Sequence, residues 1–321
     1  MFTTHHKHIE GMVKEKVKRV TQIIVEELQP LSVLMFGSFG KGEGTILNRK
    51  EVFNDFDIYI ITERAVPDAE LERVGKKASA AIGMGGGEFI ETDGTGYQRK
   101  KFFHVDLRAI PVAALSKLKP TTRTYEIKYS TQLLYGNDYR DLIQITERDL
   151  PLSEGWRHMI NKSCLLLLAM DERRWQGKFK DDEKLICIYY ALKTFMGCAE
   201  ALLLLKHHFS GTYRGRAALF KKLYGKEMPD LAKKVTFATR MKCDFQPAKI
   251  KDPVQFWKEA RDALYFTINY LAQHDLRIFA TRKEELMQKI YQKLPLQYHV
   301  PYLSIGRAAV PLQYGLNGLY F

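Results

Sequence analysis

The chain has 321 residues, 45% of them hydrophobic and 27% charged, and a formal charge of +13. These values exclude a wholly disordered chain and leave room for two domains of the usual ~100 to 200 residues. The basic balance points to polyanionic partners, whether nucleotide, nucleic acid or membrane surface, and by itself chooses none of them. Cys164, Cys187, Cys198 and Cys243 form no CxxC pair, and the first three sit in apolar, helix-like stretches, so they read as buried free thiols of a reducing compartment. Unbroken apolar runs such as Cys164 to Met170 fall far short of the ~20 residues of a membrane span. The opening MFTTHHKHIEG holds no apolar leader core, so a cytoplasmic protein with no membrane partner is the expectation. His5, His6 and His8 read as part of an untethered polar terminus in preference to a metal site.

Residues 9 to 28 place Met12, Val13, Val17, Val20, Ile23, Ile24 and Leu28 at helical spacing, and Pro30 ends the pattern. SVLMFG, from Ser32, predicts a short buried strand, and FDIYIIT, from Phe56, a second. A helix is predicted over 70–82, with the glycines at 83 and 85 to 87 as its C-cap and a link. EFIET at 88–92 and KFFHVDLRAI at 101–110 predict further strands, joined across the turn-rich DGTGY. The alternation predicts an α+β domain, a mixed sheet flanked by helices, over residues 1–150.

Beyond Pro151 the strand signal fades. Residues 156–175, 183–209, 228–241, 253–275 and 281–293 carry apolar positions three and four apart, predicting an all-α helical bundle as a second domain, 151–321. From Leu294 onward, repeated Pro and Gly break the pattern, which reads as an extended tail packed on the bundle.

LMFGSFGKGEG, residues 34 to 44, is the stretch with chemical content. Gly37 and Gly42 have P-loop spacing, but Glu43 stands where that loop requires Lys. Gly40, Gly42 and Gly44 run into a loop, where a dinucleotide fingerprint would open a helix. A third arrangement fits: Gly37-Ser38 at a strand end, Asp55 and Asp57 two apart at the next strand, and Asp106 between Val105 and Leu107 on a later one. Residues two apart on a strand share a face, so Asp55 and Asp57 project together while Phe56 and Ile58 turn inward. Asp106 likewise opposes Val105 and Leu107, with His104 and Arg108 as its neighbours.

Three carboxylates on adjacent strands make an all-oxygen site for two Mg²⁺ ions, with Mn²⁺ as a substitute. In phosphoryl transfer one ion activates the attacking hydroxyl and the other neutralises the leaving pyrophosphate. Gly37 lets backbone amides approach a triphosphate, Ser38 offers a hydroxyl, and Lys41 is a nearby counter-charge or, in equal measure, a solvated loop lysine. Read singly, Asp106 is a salt-bridge partner of Arg108 and His104 a structural histidine. Gly40, Gly42 and Gly44 read as giving the following loop its freedom.

Together, MFGSFGKGEG, DFDIYI and HVDLRA resemble the GS, DxD and hDh signature of the DNA polymerase β-like nucleotidyltransferase superfamily. That superfamily includes aminoglycoside nucleotidyltransferases, tRNA CCA-adding enzymes and poly(A) polymerases. The resemblance covers about the first 110 residues, and LLYGNDYRDLI just beyond them is similar to a segment of several prokaryotic members. It implies that Asp55 and Asp57 hold both metals, while Asp106 holds the metal that activates the acceptor and serves as general base; some members take that base from the helical domain. Residues 39–54, between Ser38 and Asp55, form a longer loop than the family usually has.

Residues 206–251 hold twelve Lys or Arg against three acids, so most of the positive charge is concentrated there. Within them Tyr213, Arg214, Arg216, Lys221, Lys222 and Tyr224 interleave rings and cations, which suits a stacked base and its phosphates. Arg216 or Lys221 is the expected triphosphate contact, with solvated helix faces the competing reading. Three functions follow. The first is metal-dependent transfer of a nucleoside monophosphate from an NTP such as ATP to RNA or another polyanion, bound through 206–251. The second is the same transfer to a small, aminoglycoside-type acceptor, and the third a non-catalytic nucleotide- or RNA-binding module.

Overall fold

The computed structural model describes residues 1–4, 7–83, 104–280 and 282–294. Helix α1 (Lys7–Leu28) aligns Ile9, Val13, Val17, Val20, Ile23 and Ile24 along one buried stripe. Gln29, in the left-handed region at φ 44°, and Pro30 end it and turn the chain into β1 (Ser32–Met35). The main sheet adds β4 (Phe56–Thr62), β5 (Val105–Pro111) and β6 (Gln132–Gly136) in the order β5-β4-β1-β6. β1 runs antiparallel to β4 and β6, whereas β4 and β5 are parallel. Parallel neighbours need a long crossover, and α3 (Asp68–Ala81) lies within it.

The side-chain alternation of these strands separates two cores. Val33, Met35, Phe56, Ile58, Ile60, Val105 and Leu107 pack with the α1 stripe and with Leu71, Val74 and Ala78 of α3. On the other face Leu34, Tyr59, Ile61 and Ile110 pack against Leu115, Ile143, Ile145 and Ile127, the last on α4 (Thr122–Tyr129). Asp57 and Asp106 alternate with the first set and therefore stand at the end of the second face.

Residues 39–54 are not the glycine-freed loop expected from their composition. They hold the second half of a one-turn helix, α2 (Gly37–Gly40), and a tight hairpin of β2 (Ile46–Leu47) and β3 (Glu51–Val52). Asn48 and Arg49, at φ 50° and 60°, form its turn, closed by the Lys50 N–H donating to Leu47 O at 3.0 Å. A distant segment, β7 (Asp244–Phe245), pairs in parallel with β2 to give a second sheet in the order β3-β2-β7. Phe53 packs on Phe245 at 4.8 Å between ring centroids, and Arg49 pairs with Asp244 at 3.0 Å.

The chain accordingly divides into two compact units that are not two simple halves. The first comprises Met1–Asp149 with Gly211–Tyr213 and Cys243–Gln246; the second takes Leu150–Ser210, Arg214–Lys242 and the chain from Pro247. The opening residues are also held, contrary to the untethered terminus expected. Glu10 accepts the backbone N–H groups of Phe2 and Thr3 at 2.9 Å each, and the Phe2 side chain is buried. His5 and His6 lie outside the described residues, as do the strand expected at 88–92, the glycines at 85 to 87 and the tail from 295 on.

Among the described residues the second unit is helical. Its helices are α5 (Ser153–Leu168), α6 (Glu172–Trp175), α7 (Asp181–Leu205), α8 (Tyr213–Tyr224), α9 (Pro229–Cys243), α10 (Pro253–His274) and α11 (Lys283–Lys293). The single helix expected over 156–175 breaks because Asp171 caps α6, its Oδ1 accepting the Arg174 N–H at 2.7 Å. α7 is long and apolar enough to cross a membrane, but 89% of its apolar window is buried inside the protein. It packs against α5 and α10 as the core helix of its unit. All four cysteines are buried and free, and burial pushes the Cys187 and Cys198 thiols up to about 12.

His158 on α5 faces Glu200 on α7, with 3.5 Å between Nδ1 and Oε2. Removal from water, reinforced by Lys162 and Arg157, holds this imidazole well below its ordinary value. Glu200, whose other oxygen pairs with Arg216, does not reverse the shift. The unfolded chain protonates His158 near ~6.5 while the folded chain keeps it neutral, so stability is intact above that pH and falls below it, by at most about 1.4 kcal/mol per pH unit. Denaturant unfolding between about pH 7 and pH 5.5 should therefore show a slope that His158→Gln reduces. Equal slopes in the two proteins would refute the assignment.

Candidate active site

The Gly-Ser element begins where β1 ends. Phe36 remains extended, and its N–H donates to Asp57 O at 2.8 Å, continuing the β1–β4 ladder by one residue. Gly37 then enters the left-handed region at φ 63°, which starts α2. The loop is tied at several points. Glu43 N–H donates to Ser38 O at 2.8 Å, and the Gln132 amide donates to Phe39 O and Gly40 O at 2.9 and 3.1 Å. A Cβ on Gly40 would stand 2.9 Å from the Met35 carbonyl carbon, so this glycine serves close packing and not the loop mobility expected of it.

Parallel pairing sets Asp57 and Asp106 directly beside each other on one face of adjacent strands, where strands lie about 4.8 Å apart. Gly37 approaches the same point: a Cβ there would overlap Asp57 Oδ2 and stand 2.8 Å from Asp57 Cγ. Ser38 Oγ, next in the chain, is buried with no hydrogen-bond partner among the described residues. Asp55 precedes β4 and turns to His104, whose Nδ1 is 3.3 Å from Asp55 Oδ1. Burial opposes the charged His104 ring, but the hydrogen bond to Asp55 and the charges of Asp55, Asp106 and Asp57 outweigh it and raise its pKa. Asp106 Oδ2 accepts from Arg108 Nε and Nη2 at 3.2 and 3.0 Å. The structure thus brings together Gly37, Ser38, Asp57 and Asp106, with Asp55 and Asp106 each engaged by a neighbouring base. Among the described residues no group of three or more His, Cys, Asp or Glu side chains is gathered closely enough to hold a metal ion.

Lys41 is neither a solvated lysine nor an open counter-charge. Its side chain is 1% exposed, with Nζ 2.8 Å from Glu126 Oε2 and 4.9 Å from the Tyr213 ring centroid. Glu43, in the position that excluded a P-loop, accepts the Tyr213 N–H at 2.6 Å. A Cβ on Gly211 would collide with Ser130, so the strap Gly211–Tyr213 fits tightly against the C-terminal end of α4, the helix that carries Glu126. Glu43, Glu126, Gln132 and Tyr213 are thus parts of the loop's support that sequence reasoning missed. Only Glu43 carried a signal, as an acid inside a glycine-rich phosphate-loop pattern.

Two further expectations need correction in the helical unit. Arg216 is buried, where it pairs with Glu200, donates to Ser210 O at 2.6 Å and stacks on Phe209, so it serves as an internal counter-ion. Tyr224 is also buried, its hydroxyl donating to Leu202 O at 2.7 Å, and is no platform for a base. Lys221 is exposed.

No protein-family model and no curated protein matches the chain. Among solved structures it is similar to a spectinomycin adenyltransferase from Enterococcus faecialis, determined with ATP and spectinomycin. The identity is 13% and the TM-score 0.44, over 78% of this chain and 98% of that one.

The contact between Gly37 and Asp57 can be isolated. Gly83, at φ 71°, has none of the described residues within 4 Å of the place an added methyl would take, so Gly83→Ala is the reference for the left-handed backbone cost of about 1–2 kcal/mol. Gly37→Ala carries that cost and the overlap with Asp57, and should destabilise the protein more in urea unfolding. Adding Asp57→Ala should recover part of the difference. Equal losses at the two glycines would show that the Asp57 carboxylate is not packed against Gly37.

Proposed function

We propose that the protein transfers a nucleoside monophosphate from an NTP to a hydroxyl acceptor and releases pyrophosphate. The observation that carries this reading is the convergence of Gly37 with the side-by-side carboxylates of Asp57 and Asp106. Such a site offers paired anionic oxygens beside a backbone that a phosphate can approach without a side chain intervening. The orphaned Ser38 hydroxyl is a donor with no acceptor among the described residues, as a phosphate contact requires.

Asp57 and Asp106 are the pair that would hold a divalent cation, and their carboxylate oxygens suit Mg²⁺ or Mn²⁺, whereas Asp55, turned to His104, would join them only on leaving that partner. Bound there, the cations would supply activation of the acceptor hydroxyl and charge neutralisation of the pyrophosphate. Asp106 lies within the face that an acceptor would meet and is the residue assigned to receive the hydroxyl proton. Arg108 fixes the orientation of that carboxylate, and His104 that of Asp55. Lys41 acts through the loop, which its pairing with Glu126 holds in place.

The acceptor reading shifts with the structure. The basic segment keeps exposed cations, among them Arg214, Lys221, Lys222 and Lys226, which support a polyanion such as RNA. Its interleaved rings are committed elsewhere, Tyr213 to Lys41 and Tyr224 to the interior, which removes the stacking part of that reading and favours a small hydroxylated acceptor. The ion pairs of Asp55 and Asp106 support the third reading, a nucleotide-binding module without transfer.

One experiment separates all three. The protein is incubated with α-labelled NTPs and Mg²⁺, with either total RNA or a pool of hydroxylated small molecules, beside Asp57→Ala. Label in RNA, falling steeply with salt, supports the polyanion acceptor, and label in the small-molecule pool supports the other transferase reading. Asp57→Ala should lower either signal by at least about a hundredfold. Transfer to neither pool, or transfer unchanged in the variant, defeats the enzymatic reading.

A further inference from the structure

Residues Met1–Thr3 are bonded on one side to the first turn of α1 and on the other to the Gly-Ser turn. On the α1 side the Phe2 N–H lies between the two carboxylate oxygens of Glu10, at 2.9 and 3.0 Å. Glu10 Oε2 also accepts from the Thr3 N–H at 2.9 Å and from the Thr3 hydroxyl at 3.0 Å. On the other side the Gly44 N–H donates to Phe2 O at 3.0 Å. The Gln132 amide that holds Phe39 O and Gly40 O donates to Met1 O as well, at 2.9 Å. Glu10 is buried, and among the described residues its hydrogen bonds all go to Phe2 and Thr3.

The far end of this chain of contacts is Ser38. Phe2 buries its ring in the core that also holds Phe39, Ile46 and Phe56. Phe39 stands edge-on to Phe56 at 4.9 Å between ring centroids, and a Cβ on Gly44 would collide with its ring. The residue after Ser38 is therefore wedged on several sides, while the residue before it, Gly37, is set by its contact with Asp57. A serine fixed at both neighbours has lost most of its backbone freedom. Its buried hydroxyl, orphaned among the described residues, takes its direction from them.

We propose that Glu10 is a positioning residue for nucleotide: by holding Phe2 and Thr3 it keeps Phe2 and Gly44 packed on Phe39, and so fixes the Ser38 hydroxyl for a phosphate oxygen. This rests on the nucleotidyl-transfer reading and adds to it a residue that touches no substrate. The role requires a carboxylate. A glutamine would turn one amide N–H₂ toward donors that it cannot accept from, and would release part of the segment. The helix dipole also favours an acid in the first turn of α1, which bears on stability and not on Ser38.

Calorimetric titration of the full chain with ATP and Mg²⁺ tests the coupling. Glu10→Gln should weaken ATP binding by about tenfold, as for a lost hydrogen bond to a charged group. Ser38→Ala should weaken it by a similar factor, and the double variant should lose no more than Ser38→Ala alone, because the two residues act through one hydroxyl. Glu27→Gln removes exposed ion pairs from the same helix and should leave the affinity unchanged. Phe2→Leu keeps the carboxylate bonds but thins the wedge on Phe39; it should weaken ATP by about threefold and serves where Glu10→Gln does not fold. Independently of nucleotide, hydrogen exchange at the Gly44 amide should quicken in Glu10→Gln and not in Glu27→Gln. Absence of ATP binding by the unaltered chain would defeat the transfer reading and this inference with it. ATP binding that Glu10→Gln and Phe2→Leu leave unchanged, losses that add in the double variant, or unaltered exchange at Gly44 would overturn the inference alone.

Discussion

Parallel pairing of β4 with β5 is the constraint on which the candidate active site depends. In that register Asp57 stands beside Asp106, Tyr59 beside Arg108 and Ile61 beside Ile110, so one strand face passes from acidic to apolar within five residues. A slip of one residue would send the carboxylates into the core filled by Phe56, Ile58 and Leu107. The hydrophobic pattern therefore fixes where the charges stand. Burial of the intervening residues supports a cluster that, taken alone, is held together by no attraction.

The second dependence is on close approach. Gly37 brings the turn after β1 against Asp57, and Gly40 lets the next turn rest on the Met35 carbonyl. A network of uneven strength holds this arrangement. The buried Lys41–Glu126 pair is costly to break from one side, because either partner alone is a charge left out of water. The exposed Arg49–Asp244 pair contributes far less, although it sits on the same loop system.

Much of this was legible in the chain. Period-two alternation in FDIYIIT and HVDLR assigned each side chain a face, and the α1 stripe was readable from Met12 to Leu28 because burial follows helical spacing. β6 and α4 were not, since Leu133 and Tyr135 are exposed on an edge strand and α4 buries little on a regular stripe. Nor could local pattern reveal the Lys41–Glu126 pair, separated by 85 residues, or β7, whose two residues pair with a strand almost two hundred positions earlier. Arg216 misleads for a related reason: a cation beside tyrosines looks like a ligand contact until its partner, Glu200, is located sixteen residues away. Pattern reports which side of an element is wet, and not which distant charge will meet it.

The strap Gly211–Tyr213 and strand β7 also give this fold a timetable. Synthesis from the N-terminus yields the Gly-Ser turn, Lys41 and the β2–β3 hairpin early, but the ring that covers Lys41 and the strand that completes the small sheet belong to positions 213 and 244–245. At ~5 to 20 residues per second the turn waits on the order of ten seconds or more for its last supports. During that interval a nascent chain holds the carboxylates and the glycines without the finished loop. The finished turn is therefore settled only once residues some two hundred positions downstream have been made, although its own residues are among the first.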